Sequence, residues 1–315
     1  MKHGVFIIPT GIGASIGGYA GDASKWARKI AKECKLIVNP NVVNAACFSG
    51  ITNNMLYVEG YILDSFFQNK CYIKESSDNK IGVIFDKSIS KKLLNVHINT
   101  INAVKTVYDI DIIDFEITEQ NVGVQFFIDK SGVSTGNVKN LKTLKKAAAN
   151  LIQKGCNALA IVCKFPESSD EEYENGCGVD PVGGVEAIIS HYISKEFNIP
   201  CAHAPAFEDI SINTKIVDPK CSAEYITPTF LPCILLGLNN APQISLEEGL
   251  SIQDIDFVIV PYNAVGSIPV LEAIKNNIKI YAIKENKTVL NVNPENFNIK
   301  CDIIESYEEL LELIK

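Results

Sequence analysis

Val5-Phe6-Ile7-Ile8-Pro9-Thr10-Gly11-Ile12-Gly13-Ala14-Ser15-Ile16-Gly17-Gly18-Tyr19-Ala20-Gly21-Asp22 opens the chain's first readable unit. Four consecutive apolar residues closed by Pro9 read as a short strand buried on both faces. Gly11, Gly13, Gly17, Gly18 and Gly21 follow in a polar turn, where missing side chains permit positive φ and close approach of other groups. Asp22 then stands where a helix cap is expected. From Asp22 to Cys34, Ala23, Trp26, Ala27, Ile30, Ala31 and Cys34 recur at helical spacing, and Leu36-Ile37-Val38 is apolar again. Strand, glycine-rich loop, helix and strand in that order form one βαβ unit, which implies parallel pairing.

The same alternation continues outward. Apolar runs at 55–58, 81–85, 158–163, 199–202, 257–260 and 278–283 read as strands. Helical stripes cover 61–67, 90–108, the segment from Leu141 to Gly155, 182–197, 229–238 and 268–275. The β-rich segments 110–117 and 122–128 suit a hairpin, and 164–180 is a long acidic loop. The expected fold class is α/β, a mostly parallel sheet with flanking helices, Rossmann-like, with two subdomains around one cleft. The expected division is 1–137, an N-terminal α/β subdomain carrying the glycine-rich loop, and 138–315, a C-terminal α/β subdomain.

The 315 residues can bury a core without metals or disulfides. The formal charge of -8, from 29 Lys+Arg against 37 Asp+Glu, disfavours a general nucleic-acid or anionic-membrane binder. No apolar run is long enough to span a bilayer, and the short apolar start is no signal peptide. The ten cysteines are scattered without a C-x-x-C pair, so they read as reduced thiols packed like small hydrophobes, and the expected location is cytoplasmic. A homo-oligomer is compatible with the sequence.

Polar and glycine-bearing clusters recur just after the predicted strands, and in open parallel sheets ligands bind at those carboxyl ends. Thr10, Gly11, Gly13, Ser15, Gly17 and Gly18 are therefore expected to contact a ligand, with backbone N–H groups holding an anion at the next helix start. The loop is neither a Walker A sequence nor a full G-x-G-x-x-G, so no classical nucleotide motif is present. In Gly178-Val179-Asp180-Pro181-Val182-Gly183-Gly184-Val185-Glu186, Asp180 and Pro181 mark a helix start. Gly183 and Gly184 are costly in a first turn, which points to close approach by a ligand or another backbone. His203, directly after a strand, is the acid/base candidate. His97 lies on an apolar stripe and reads as core, and His191 reads as solvated or at an interface. Asn41, Asn263, Ser267, Glu285 and Asn286 complete the expected ligand contacts. Glu59 and Glu186 join His203 as candidate catalytic groups, and Glu59, Asp180, Glu186 and Glu285 are oxygen ligands of the kind Mg²⁺ takes.

The blocks at 8–22, 39–44 (Asn-Pro-Asn-Val-Val-Asn), 56–61 (Leu-Tyr-Val-Glu-Gly-Tyr), 178–191, 199–206 (Ile-Pro-Cys-Ala-His-Ala-Pro-Ala), 229–233 (Thr-Phe-Leu-Pro-Cys) and 241–243 (Ala-Pro-Gln) resemble the bacterial and archaeal family called domain of unknown function 3326. The resemblance covers essentially the whole chain and implies a shared fold and site; the family name carries no reaction. Where the family pattern has alanine near position 15 and histidine before Pro40, this chain has Ser15 and Asn39, so proton transfer at position 39 is not expected here.

The functional expectation is an enzyme acting on a small anionic metabolite, carboxylated or phosphorylated, held by the glycine-rich loop with acid/base assistance. The alternative is a non-catalytic small-molecule-binding or regulatory protein using the same cleft. Reaction class, cofactor and metal stay open at this stage; a nucleotide-dependent enzyme and an iron-sulfur protein are the weaker readings.

Overall fold

A computed structural model describes residues 1–167, 171–212 and 214–315. Two parallel sheets organise the chain. The larger has six strands in the spatial order Asp302–Ile304, Lys279–Ile283, Phe257–Pro261, His3–Phe6, Lys35–Val38, Met55–Tyr57, all pairs parallel. The smaller has Cys201–Ala206, Ala158–Lys164, Ile81–Phe85 and Ile112–Ile117, again all parallel. Helices cover the faces, so the central strands read as unbroken apolar runs; Phe257–Pro261 and Ile81–Phe85 are buried at every position.

The smaller sheet is inserted into the larger. Three strands of the six-stranded sheet come from residues 3–57 and three from residues 257–304, with the whole second sheet between them in the chain. A boundary at residue 137 would therefore cut both sheets, since each takes strands from both sides of it. The expected hairpin between 110–117 and 122–128 is also replaced. Ile112–Ile117 pairs in parallel with Ile81–Phe85, while Val124–Ile128 pairs antiparallel with Ser134–Val138. Both segments have strand composition, and period alone does not select the partner. The expected acidic loop contains a short helix, Glu171–Glu174; its residues 168–170 lie outside the described residues.

The Leu231–Asn239 helix unites the two sheets. Leu231, Cys233, Ile234, Leu235, Gly237 and Leu238 are all buried, and a helix apolar all round must be enclosed on every side. Leu231, Ile234, Leu235 and Leu238 share one core cluster with Phe6, Val38 and Tyr57 of the large sheet and with Val83, Val162 and Ala204 of the small one. Gly237 lies against the Tyr57 ring so closely that an added Cβ would stand 2.6 Å from it.

The first loop is clamped from the next strand's end. Asn39, 5% exposed, accepts from Ile8 N–H at 3.0 Å and donates to the Ile8 carbonyl at 2.8 Å. Its amide thus satisfies both backbone groups of Ile8 where the large sheet stops. Asn39→Ala should lower the stability to urea by roughly 2–5 kcal/mol, because two buried backbone groups lose their partner. A loss below about 0.5 kcal/mol would mean that the loop does not depend on this clamp.

Candidate functional site

A cleft of 640 Å³ opens where loops of the two sheets meet. The large sheet contributes Thr10 and Gly18–Ala20 from the loop after its first strand, and Pro40, Asn41, Asn44 and Ala46 from the segment after its second. The small sheet contributes His203–Pro205, while Asp180, Gly183 and Glu186 come from the start of the Gly183–Phe197 helix. The glycine-rich loop and His203 thus line one cavity, as the position of both near strand ends implied.

The Gly183–Phe197 helix brings the polar groups to the cleft. Its entry is set by backbone contact: Gly184 N–H donates to Ser134 Oγ at 2.9 Å, and a Cβ on Gly184 would fall 1.9 Å from the Ser134 carbonyl oxygen. The expected N-cap at Asp180 is displaced. The helix starts at Gly183, and Asp180 Oδ1 accepts from Val182 N–H at 3.0 Å just ahead of it. Two faces of this helix are buried. Val185, Ile189 and Ile193 join the small sheet's core, while Glu186 and Ser190, one turn apart, form a second, polar stripe. The sequence reading named Glu186 but missed Ser190, because it followed only the apolar period of the helix; a search for polar residues at i, i+4 would have found it.

His203 is the third residue of the Cys201–Ala206 strand, which runs further than expected. Its Nδ1 lies 2.8 Å from Ser190 Oγ, and Ser190 Oγ donates to the Ala187 carbonyl at 3.3 Å. A hydroxyl already donating to a carbonyl accepts from the ring, so Nδ1 carries the proton and Nε2 is the free base. Nε2 faces Glu186 Oε2 at 4.0 Å. Burial, then the neighbouring His191, lowers the His203 pKa to about 3, and burial with the charges of Asp180 and Glu224 pushes Glu186 well above the usual carboxylate range. The imidazole is therefore uncharged at neutral pH, and burial favours the neutral form of the carboxyl beside it over an ion pair. Glu186 Oε1 is buried with no hydrogen-bond partner.

The other acids of the cleft are distributed in two groups. Glu167, Glu174 and Asp209 are tied locally: Glu167 accepts from the Glu208 and Asp209 N–H groups, Glu174 pairs with Lys215, and Asp209 accepts from Ser211. Asp180, Glu186 and Glu224 lie deeper. Tyr173 OH donates to Glu224 at 3.0 Å, and burial with Asp180's charge raises the Glu224 pKa to about 8. Glu224, on the short Ser222–Tyr225 helix, was not legible beforehand because no strand end or glycine cluster marks it. Among the described residues, no Lys or Arg lines the cleft.

Several expected contacts serve the architecture instead. Glu59 does not line the cleft. It caps the Gly60–Phe67 helix, accepting from Tyr61 N–H at 3.0 Å and Ile62 N–H at 2.9 Å, and burial lifts its pKa to about 7. His191, read as solvated or at an interface, packs its Nε2 3.3 Å from Glu59 Oε2 with its side chain 42% exposed. The loop N–H groups expected to hold an anion are already used: Ser15 N–H donates to the Lys287 carbonyl, Ile16 N–H to Asn286 Oδ1 and Gly17 N–H to Asp22 Oδ1. Asp22 thus folds back onto the loop rather than capping the helix, which begins at Ser24.

Asn286, fully buried, also donates to the Ile16 carbonyl and to Tyr307 Oη, while Glu285 accepts from Tyr307 N–H. Asn263 brackets the 288–290 turn, and Ser267 precedes the Ile268–Lys275 helix with its hydroxyl buried and unpartnered. Gly11 packs against Ser134, and Gly13 against Gly178 and Val179. Thr10, Gly18, Asn41, Asp180, Gly183, Glu186 and His203 remain as expected residues that line the cavity, with Asn41 donating to the Gly17 carbonyl at 2.8 Å. Cys233 also lines it, but burial holds its thiol up at about 12, so at neutral pH it is not a thiolate nucleophile. His97 is core, as expected, bonded through Nδ1 to Thr229 Oγ1 at 3.0 Å. Among the described residues, no group of three or more His, Cys, Asp or Glu side chains converges enough to hold a metal ion, so the carboxylates considered for Mg²⁺ do not fit one.

The His203 assignment is directly measurable. Long-range ¹H–¹⁵N spectra should show a neutral Nδ1–H ring that does not titrate between about pH 8 and pH 5. A midpoint above about 5 would place the ring in water rather than against Ser190 and Glu186.

A family model described as "Protein of unknown function (DUF3326)" matches residues 3–315. An uncharacterized lipoprotein from Synechococcus sp. is 36% identical, covering 97% of this chain and 88% of that protein. No solved structure matches the chain. With the family model spanning both sheets and every residue of the cleft, the chain belongs to the DUF3326 family.

Proposed function

We propose that the protein is an enzyme that turns over a small polar metabolite in this cleft by proton transfer through Glu186 and His203. The observation that supports it is their pairing: a buried carboxyl and a buried imidazole nitrogen 4.0 Å apart at the cavity wall, with Ser190 against the other ring nitrogen and burial favouring the neutral form of both groups. A buried acid and a buried base of matched neutral form can protonate one substrate atom while deprotonating another, and holding them costs stability that structure alone does not repay. The cavity has the size of metabolite sites in general.

The ligand in this reading differs in charge from the sequence expectation. Six carboxyl groups line the cleft without a Lys or Arg among its described residues, and the loop N–H groups at 15–17 are internally bonded. An anion would enter against that field. A neutral or cationic polar metabolite suits it.

We also read the six-stranded sheet as Rossmann-like. Numbered by appearance within that sheet, its strands lie in the order 3-2-1-4-5-6. The ten cysteines are all free, as a reducing compartment such as the cytoplasm would leave them; lipoprotein is the name of the relative alone. No helix among the described residues is long and apolar enough to cross a membrane.

The test is to incubate the full chain with a cell metabolite extract and follow it by mass spectrometry. The wild type should consume at least one metabolite. His203→Ala and Glu186→Gln should each slow that consumption by about 10²-fold or more. Because Glu186 acts as the acid, kcat/KM should fall on the alkaline side as the carboxyl loses its proton, and His203 should impose no fall between pH 7 and about pH 5. A metabolite retained but never consumed, or consumed equally by the variants, would leave a binding protein in place of the enzyme.

A further inference from the structure

Glu59, a buried acid outside the cleft, is tied to more than its own helix. Oε1 accepts from Ile62 N–H at 2.9 Å and Oε2 from Tyr61 N–H at 3.0 Å, so both oxygens are fixed by backbone. The same Oε2 stands 3.3 Å from Nε2 of His191. The two residues belong to different halves of the molecule. Ile62, Leu63, Phe66 and Phe67 of the Gly60–Phe67 helix share a core cluster with Val5 and Ile37 of the large sheet. Val185, Ile189 and Ile193 of the Gly183–Phe197 helix share another with Ile84 and Ile161 of the small sheet.

Gly60 makes room for this contact. A Cβ there would stand 2.6 Å from His191 Nε2 and 3.1 Å from its Cε1. Glycine is costlier than alanine inside a helix, and the approach of the His191 ring accounts for it here. The contact also falls on a telling side of its helix. At about 100° per residue, Glu186 and Ser190 lie on the arc between Ile189 and His191. The apolar core holds one end of that arc and Glu59 the other. Gly184, against the Ser134 backbone, fixes the start of the same helix, and His191 fixes it about two turns further on.

We propose that Glu59 and His191 are positioning residues, whose contact sets the rotation of the Gly183–Phe197 helix against the large-sheet half and so places Glu186 and Ser190, and through Ser190 the His203 ring, at the cleft. This rests on the reading of Glu186 and His203 as the reacting pair. Neither Glu59 nor His191 lines the cavity, so both act through other residues. The geometry leaves little tolerance. Cα atoms lie about 2.3 Å from a helix axis and a side-chain hydroxyl further out, so a rotation of about 15° displaces it by roughly 1 Å. That is enough to take the 2.8 Å contact between Ser190 Oγ and His203 Nδ1 past hydrogen-bonding distance. The ring would then lose the partner that selects its Nδ1–H form.

The test reads the His203 ring of the full chain, without ligand, by long-range ¹H–¹⁵N spectra at neutral pH. Gly60→Ala is the cleanest lesion. The His191 side chain is 42% exposed and can swing into water, so the added methyl group removes its contact with Glu59 while both residues and the fold remain. In Gly60→Ala and in His191→Ala, the two His203 ring ¹⁵N shifts should converge as the Nδ1–H form loses its exclusive population. His191→Gln, whose amide nitrogen reaches about as far as a histidine Nε2, should keep the wild-type shifts. Wild-type shifts in Gly60→Ala, or a convergence in His191→Gln as large as in His191→Ala, would overturn the positioning role. The two readings fail separately. Converging shifts in a protein that consumes no metabolite remove the enzyme and keep the positioning contact. With turnover present, Gly60→Ala should lower kcat by about tenfold or more with little change in KM; consumption at the wild-type rate keeps the enzyme and removes the positioning role.

Discussion

The enclosure of the Leu231–Asn239 helix is the constraint on which the remaining architecture depends. A segment apolar on every side has no face to offer water, so it must be covered by other elements all round. The two sheets supply that cover. Leu231, Ile234, Leu235 and Leu238 share a cluster with side chains of both, and Gly237 lets the Tyr57 ring approach where any larger residue would hold it off. With both sheets packed on one helix, their loops meet around one cavity, and Cys233 and Ile234 of the same helix form part of its wall.

The cleft carries a cost that packing cannot explain. Carboxyl groups seek water, yet Asp180, Glu186 and Glu224 are all desolvated, and the charges of Asp180 and Glu224 further disfavour ionisation of Glu186. Arg or Lys could have neutralised them, and among the described residues none lines the wall. The Gly183–Phe197 helix keeps this arrangement in place. Its apolar stripe is fixed in the small sheet's core, and Gly184 brings it against the Ser134 backbone. Ser190, one turn beyond Glu186, then orients His203 from the neighbouring strand. Glu186 and His203 are thus positioned by two consecutive elements, a helix and the strand that follows it.

Much of the polar sequence around the first loop serves scaffolding. Asn263 and Asn286 read as ligand contacts, and both, like Asn39, instead bond backbone that would otherwise be unsatisfied. A loop rich in glycine cannot hold its own shape through side chains, so neighbouring amides do it. That is why its N–H groups at 15–17 are spent internally, and why the charge of the cleft comes from acids on later segments.

From the order of residues alone, the parallel α/β class, most strands and helices, the family, and the placing of His203 and Glu186 on one cavity with Thr10 and Gly18 of the first loop were legible. These follow from local quantities: period, turn residues and the types of side chain after each strand. The nesting of one sheet inside the other, the pairing of Ile112–Ile117 with Ile81–Phe85, the capping role of Glu59 and the arrival of Glu224 in the same cavity as Asp180 were decided only by the tertiary structure. Each depends on which distant segments share a core, and the energy that selects those partners is burial, which a single segment does not possess.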